Sequence, residues 1–189
     1  MIEWVFVPAA YLIGSISSAI IICRLMGLPD PREQGSGNPG ATNVMRIGGK
    51  KAAAITLLGD LLKGFIPVYS AHLLGVSVEL LAIIGLAAFM GHLYPVFFNF
   101  KGGKGVATSI GVLLGFSWWL GVAFIGTWLL IYKVGKISSV SALCASILSP
   151  VYAWFISGNI VIVGTSAVMM VLLLWRHKSN IQRLLAGEE

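Results

Sequence analysis

An all-α bundle of seven transmembrane helices, with the N-terminus outside and the C-terminus inside, is the fold the sequence predicts. Three observations carry the prediction: an apolar, charge-poor composition, apolar runs of membrane-crossing length, and Lys and Arg confined to alternate loops. Of the 189 residues, 57% are hydrophobic and only 11% charged, with a mean hydropathy of +0.90. A water-soluble globular domain does not show that balance, so membrane lipid, and not nucleic acid, is the expected surrounding. No Ser-rich, acidic or repetitive stretch offers a linker, and residues 1–189 read as one domain.

A crossing needs about 20 mostly apolar residues. The first is expected over 4–26, with Arg24 near its end, and Met1-Ile2-Glu3-Trp4 lacks the basic start of a cleaved leader. A long polar stretch, 28–51, follows as a loop. The second and third crossings, 52–74 and 78–100, are joined so tightly at 75–77 that they must form an antiparallel hairpin. The apolar run 106–132 is longer than one crossing and shorter than two, and two short or tilted helices turning near 116–119 fit it, with Trp118 and Trp119 at an interface. The sixth and seventh crossings are expected over 140–156 and 160–175, separated by the turn cluster Ser157-Gly158-Asn159.

Charge selects seven crossings over six. With seven, the segments 27–51, 101–105, 133–137 and 176–189 share one face and carry every Lys and Arg that lies outside the spans. Short basic loops stay cytoplasmic, which places the C-terminus inside; six crossings would export the basic tail. Within the spans, Asp60 and Lys63 lie three apart on one helical face and read as a structural ion pair. His92 reads as a hydrogen-bonded interior histidine. Cys23 and Cys144 sit in apolar segments without metal-type spacing, so neither a disulfide nor a zinc site is indicated.

Three basic segments carry the chemistry. The first, Gly35-Ser36-Gly37-Asn38-Pro39-Gly40-Ala41-Thr42-Asn43-Val44-Met45-Arg46, contains G-x-G-x-x-G, but no strand precedes it and no βαβ unit surrounds it, which argues against a dinucleotide fold. Its glycines let backbone N–H groups converge on an anion, Ser36, Thr42 and Asn43 add donors, and Arg46 can hold two phosphate oxygens. The second, Lys101-Gly102-Gly103-Lys104-Gly105, leads directly into an apolar helix. It is no Walker loop, yet two lysines among three glycines at a helix start favour an anion. The third is the tail Arg176-His177-Lys178-Ser179-Asn180, where His177 and Asn180 share a face if the helix continues. Each segment alone also fits a solvated or lipid-binding loop; their common face is what favours phosphate. From the residues alone, a small organophosphate or anion transporter and a lipid-binding structural subunit remain rivals.

Together the runs Ser36–Arg46, Lys101–Thr108 and Arg176–Ile181, with Asp60-x-x-Lys63-Gly64 and Gly91-His92, resemble the motifs of the bacterial acyl-phosphate:glycerol-3-phosphate acyltransferases. The resemblance covers the whole chain. It implies a seven-helix inner-membrane enzyme, its active site facing the cytoplasm, that moves a fatty acyl group from acyl phosphate to the sn-1 hydroxyl of glycerol 3-phosphate. Lysophosphatidic acid and inorganic phosphate would be the products. Neither acyl-CoA nor acyl carrier protein would be the direct donor, and the H-x-x-x-x-D motif of other acyltransferases is absent here, as in that family. Carried over, Ser36, Arg46, Lys104 and His177 are the expected catalytic residues. Phosphate binding is expected from Ser36, Gly37, Asn38, Thr42, Asn43, Arg46, Lys101, Gly102, Gly103, Lys104, Gly105, His177 and Asn180. No cofactor or metal is expected, since the few acidic residues are scattered, and the chain is expected to act as a monomer. In sealed vesicles, reagents confined to the cytoplasmic side are expected to modify Lys104 and Arg183, and reagents confined to the other side are expected to miss both.

Overall fold

The computed structural model describes residues 2–188. Among them are nine α-helices: α1 (Phe6–Gly14), α2 (Ser18–Leu25), α3 (Ala41–Leu73), α4 (Val78–Leu93), α5 (Val106–Phe116), α6 (Trp118–Gly135), α7 (Ser138–Ser157), α8 (Ile160–Arg176) and α9 (Lys178–Ala186). Short 3₁₀ turns cover Ile2–Val5 and Val96–Phe98. The described residues contain no strand.

By length and composition, four segments can cross a bilayer: α3, α4 with its following turn, α6 and α7. Two bent pairs, Ile2–Gly14 with Ser18–Leu25 (43°) and Ile160–Arg176 with Lys178–Ala186 (57°), raise the count to six. The run 106–132 does divide near the expected place, at Ser117, but α5 has only 11 residues. At 1.5 Å per residue it is about 16 Å long, roughly half of a ~30 Å hydrocarbon core. Seven spans therefore require α5 to count as a short one.

Two expected elements take another form. The first crossing is broken at 15–17, and the loop 28–51 is helical from Ala41 onward. Gly49, at φ +75°, interrupts α3, so an eight-residue segment over 41–48 precedes the long span. Glycine tolerates that positive φ and so allows the chain to turn there.

Where helices approach most closely, packing follows membrane logic, with glycines at the contact. A methyl group on Gly111 of α5 would overlap the Leu61 carbonyl of α3, and one on Gly64 of α3 would overlap the Thr108 carbonyl of α5. The two backbones therefore lie against each other, and Thr108 Oγ1 donates to the Asp60 carbonyl (2.9 Å). Phe89, Ile84, Leu93, Leu113, Leu120, Phe124 and Leu173 fill the core. Outside, Phe155 is 80% exposed and Leu130 64%, an exposure suited to hydrocarbon.

The broken first crossing is held by the buried ion pair. Lys63 Nζ lies 2.8 Å from Asp60 Oδ1 and donates to the Ile16 carbonyl (2.8 Å) in the break. The ammonium thus serves a carbonyl that no longer has a helical partner, which hydrocarbon cannot supply. His92 is interior, but the expected hydrogen bond is not made. Its Nδ1 is 3.8 Å from Asp60 Oδ1 and has no hydrogen-bond partner among the described residues.

Replacing Lys63 with Met leaves the Asp60 carboxylate and the Ile16 carbonyl uncompensated, a loss of about 3–5 kcal/mol. Thermal unfolding in detergent micelles should show a lower midpoint for that variant. Adding Asp60→Asn should recover part of the loss.

Candidate functional site

The glycine-rich loop after α2 is folded around Asn43. Asn43 is buried; its Nδ2 donates to the carbonyls of Pro31 (2.8 Å) and Gln34 (2.9 Å), and its Oδ1 accepts from the Ser36 amide (2.9 Å). All of these bonds go to the chain itself, so Asn43 shapes the loop from within, a role the sequence reading did not include. Arg32 is similarly engaged: Nε reaches Asp30 Oδ1 (3.0 Å) and Nη2 reaches Oδ2 (2.7 Å). The forked hydrogen bonding holds the Asp30 carboxyl below, and the Arg32 guanidinium above, their ordinary pKa values.

The second segment is a turn tucked against the end of α4. The Gly103 amide donates to the His92 carbonyl (3.2 Å), so it is occupied within the chain and is not offered to an anion. A methyl on Gly103 would overlap His92 Nε2, and one on Gly105, at φ +94°, would overlap the Phe89 ring. Glycine is needed here for close packing, beyond any role in cradling phosphate. Arg176 grips the same turn from α8: Nε donates to the Gly103 carbonyl (3.1 Å) and Nη2 to the Gly102 carbonyl (2.7 Å).

The third segment does not continue as one helix. The chain bends by 57° between α8 and α9, and His177 is the hinge residue. His177 is buried, and its Nδ1 lies 2.8 Å from the Leu173 carbonyl. A carbonyl can only accept, so Nδ1 carries the hydrogen and Nε2 is the basic nitrogen of the neutral ring. Across the bend, Lys104 Nζ donates to Asn180 Oδ1, joining the second and third segments.

These loops border an open cavity of about 260 Å³ lined by Ser36, Gly37, Asn38, Gly102, Lys104, Trp175, Arg176, Lys178 and Ser179. Five of the expected residues, Ser36, Gly37, Asn38, Gly102 and Lys104, form its wall. His177, Asn180, Gly103 and Gly105 adjoin it in sequence without lining it. Thr42, Arg46 and Lys101 are exposed and lie outside it. Thr42 Oγ1 is 3.3 Å from Ser138 Oγ at the start of α7, a neighbour the sequence reading did not include. Arg46 follows Thr42 by four residues in the same helical segment and so shares its face.

Trp175, Arg176, Lys178 and Ser179 are the wall residues that sequence reasoning left out. Their signal was position: they flank His177 at the end of an apolar run, but the bend at His177, which helical periodicity does not show, is what brings them to the wall. Lys178 Nζ sits 6.0 Å from the Trp175 ring centre, and the Arg176 guanidinium 5.8 Å from that of Tyr94. Among the described residues, no group of three or more His, Cys, Asp or Glu side chains is placed to hold a metal ion.

Comparison with known proteins supplies a family. A family model described as glycerol-3-phosphate acyltransferase matches residues 4–187. The glycerol-3-phosphate acyltransferase of Methylococcus capsulatus is 57% identical over 188 residues, covering 100% of this chain and 95% of that protein. That of Hydrogenovibrio crunogenus is 57% identical over 189 residues, covering 100% and 90%. The crystal structure of PlsY, an integral membrane glycerol 3-phosphate acyltransferase, in its glycerol 3-phosphate form superposes with a TM-score of 0.95 at 38% identity, covering 100% of this chain and 94% of that one. Its lysophosphatidic acid form gives 0.92 at 37% identity, with the same coverage.

Asn43→Ala should disorder the glycine-rich loop although the side chain meets only the chain's own backbone. Each buried group left without its partner costs about 1–3 kcal/mol. Faster proteolytic cleavage within 30–40, with the spans left intact, is the expected readout.

Proposed function

The chain belongs to the glycerol-3-phosphate acyltransferase family, and from that premise we propose that it takes the fatty acyl group from acyl phosphate and places it on the sn-1 hydroxyl of glycerol 3-phosphate. Lysophosphatidic acid and inorganic phosphate are the products of that reaction, and no acyl-CoA or acyl carrier protein enters it directly. The observation that carries this reading is the meeting of three basic stretches, distant in sequence, around one small polar cavity, with Lys104 of its wall bonded to Asn180 of the tail.

Both substrates present a phosphate, and the structure offers cations in two places. Ser36 and Lys104 stand at the cavity; Thr42 and Arg46 share an exposed face beside Ser138. On our reading each group takes one phosphate, which brings the glycerol hydroxyl to the acyl carbonyl carbon. The hydroxyl oxygen forms the new ester bond, the carbonyl carbon–phosphate oxygen bond breaks, and phosphate departs with the electron pair. Acyl phosphate is a mixed anhydride with a good leaving group, so positioning and charge neutralisation are the main work. The hydroxyl proton goes either to His177 Nε2, consistent with the tautomer set by Leu173, or to a substrate phosphate oxygen. A covalent acyl-enzyme is unnecessary, and Ser36 acts as a hydrogen-bond donor.

A transporter would need a polar route through the membrane. The charges at depth, Asp60 and Lys63, are instead engaged with each other and with Ile16. We read residues 1–189 as a single acyltransferase domain of the bacterial inner membrane. It crosses seven times with α5 as a short span, the N-terminus outside and the site facing the cytoplasm; the basic loops support that orientation.

Purified protein incubated with palmitoyl phosphate and glycerol 3-phosphate should release inorganic phosphate only when both are present, and release with one alone would remove the reading. Lys104→Ala should abolish most of that turnover. If His177 is the base, His177→Ala should lose about 10²–10⁴-fold in rate together with the acidic limb of the pH–rate profile. Retention of both would assign the proton to substrate phosphate.

A further inference from the structure

The geometry points to Arg176 as a positioning residue that sets Lys104 in place through the backbone of the glycine turn; this rests on the reading of Lys104 as a phosphate ligand. Arg176 bridges two consecutive carbonyls, those of Gly102 (2.7 Å) and Gly103 (3.1 Å). Its guanidinium lies over the Tyr94 ring, and the Tyr94 carbonyl is itself fixed by the Tyr11 hydroxyl (2.8 Å). On its other side the turn is pinned by the Gly103 amide on the His92 carbonyl. Both hydrogen-bonding edges of the turn are thereby held, while its α-carbons lie against α4 so closely that no side chain fits.

Lys104 follows this held backbone directly. Its Nζ is bonded to Asn180, four residues beyond Arg176 and across the α8–α9 bend. One short stretch of chain therefore fixes Lys104 at both ends, its backbone through Arg176 and its ammonium through Asn180. The fork of the guanidinium is what the job requires, because planar, divergent N–H donors span neighbouring carbonyls where a lysine ammonium offers only a point charge on a flexible stem. The positive charge of Arg176 contributes to the cavity wall, but its directed bonds are spent on the turn.

The test compares wild type, Arg176→Lys and Arg176→Gln as full-length protein in detergent micelles. Trinitrobenzenesulfonate modifies lysine amines, and peptide mass spectrometry reads the rate at Lys104 with the other lysines as internal controls. Both variants are expected to show faster modification of Lys104 alone. Because a misplacement of 1 Å can cost about 10²-fold in rate, kcat/KM for glycerol 3-phosphate is expected to fall by about that factor in Arg176→Lys as much as in Arg176→Gln. An Arg176→Lys variant that matches wild type in both readouts would show that charge alone suffices and would overturn the clamp. An unchanged Lys104 modification rate in both variants would overturn it as well. Should Arg176→Gln fail to fold, Arg176→Lys, which keeps the charge, decides the matter. The labelling needs no turnover, so an inactive wild type would remove the acyl-transfer reading while the clamp is still tested.

Discussion

A carbonyl released from its helix inside a membrane bundle has no water to turn to, and the protein must bring a donor to it. One long cation meets that demand within the bundle, and a second holds irregular backbone at its rim. Lys63 reaches the Ile16 carbonyl in the break between α1 and α2, and Arg176 reaches the carbonyls of the glycine turn between α4 and α5. Each joins stretches of chain that are remote in sequence. The irregular backbone needed for a polar site is thus tolerated because charged side chains from neighbouring helices hold it, and their charge is compensated in turn. For Lys63 the compensation is Asp60; for Arg176 it is the pair of carbonyls and the face of Tyr94.

This arrangement separates the polar work from the apolar surroundings. The polar groups that could hold a phosphorylated head gather at one open cavity of about 260 Å³, lined by Ser36, Lys104, Arg176 and Lys178 among others. On the proposed reading the chain lies outside, along helix faces that already present large apolar residues to lipid, while the heads meet cations at the rim. Polar and apolar parts of the donor are then each in the solvent that suits them, and burial of the tail contributes about 0.8 kcal/mol per methylene without an enclosed tunnel.

Much of this was legible in the sequence because the membrane makes hydrophobicity a direct signal of position. The helix order, the division of 106–132 near Ser117, the Asp60–Lys63 pair and the shared location of the three basic segments all follow from run length, charge placement and i,i+3 spacing. What the sequence hid were local breaks. The segment around Thr42 and Arg46 reads as a polar loop because its apolar content is low, yet it is helical until Gly49 turns the chain. The bend at His177 is invisible to periodicity, so Arg176 and Lys178 were passed over as wall residues. Asn43 reads in the sequence as a phosphate donor because an amide side chain that satisfies a loop has the same identity as one that binds phosphate; in the fold its partners are the backbone of residues 31–36. His92 was expected to be hydrogen-bonded, but its Nδ1 stops short of the Asp60 carboxylate.

The bond between Lys104 and Asn180 spans 76 positions of the chain, and that separation bears on biosynthesis. A nascent polypeptide inserted as far as α7 already contains five of the nine wall residues, but it lacks Trp175, Arg176, Lys178 and Ser179 and the amide oxygen that Lys104 bonds. The pocket is therefore assembled only with the final helix and its tail, and on the proposed reading a stalled or truncated product has no closed set of groups with which to hold a phosphorylated substrate.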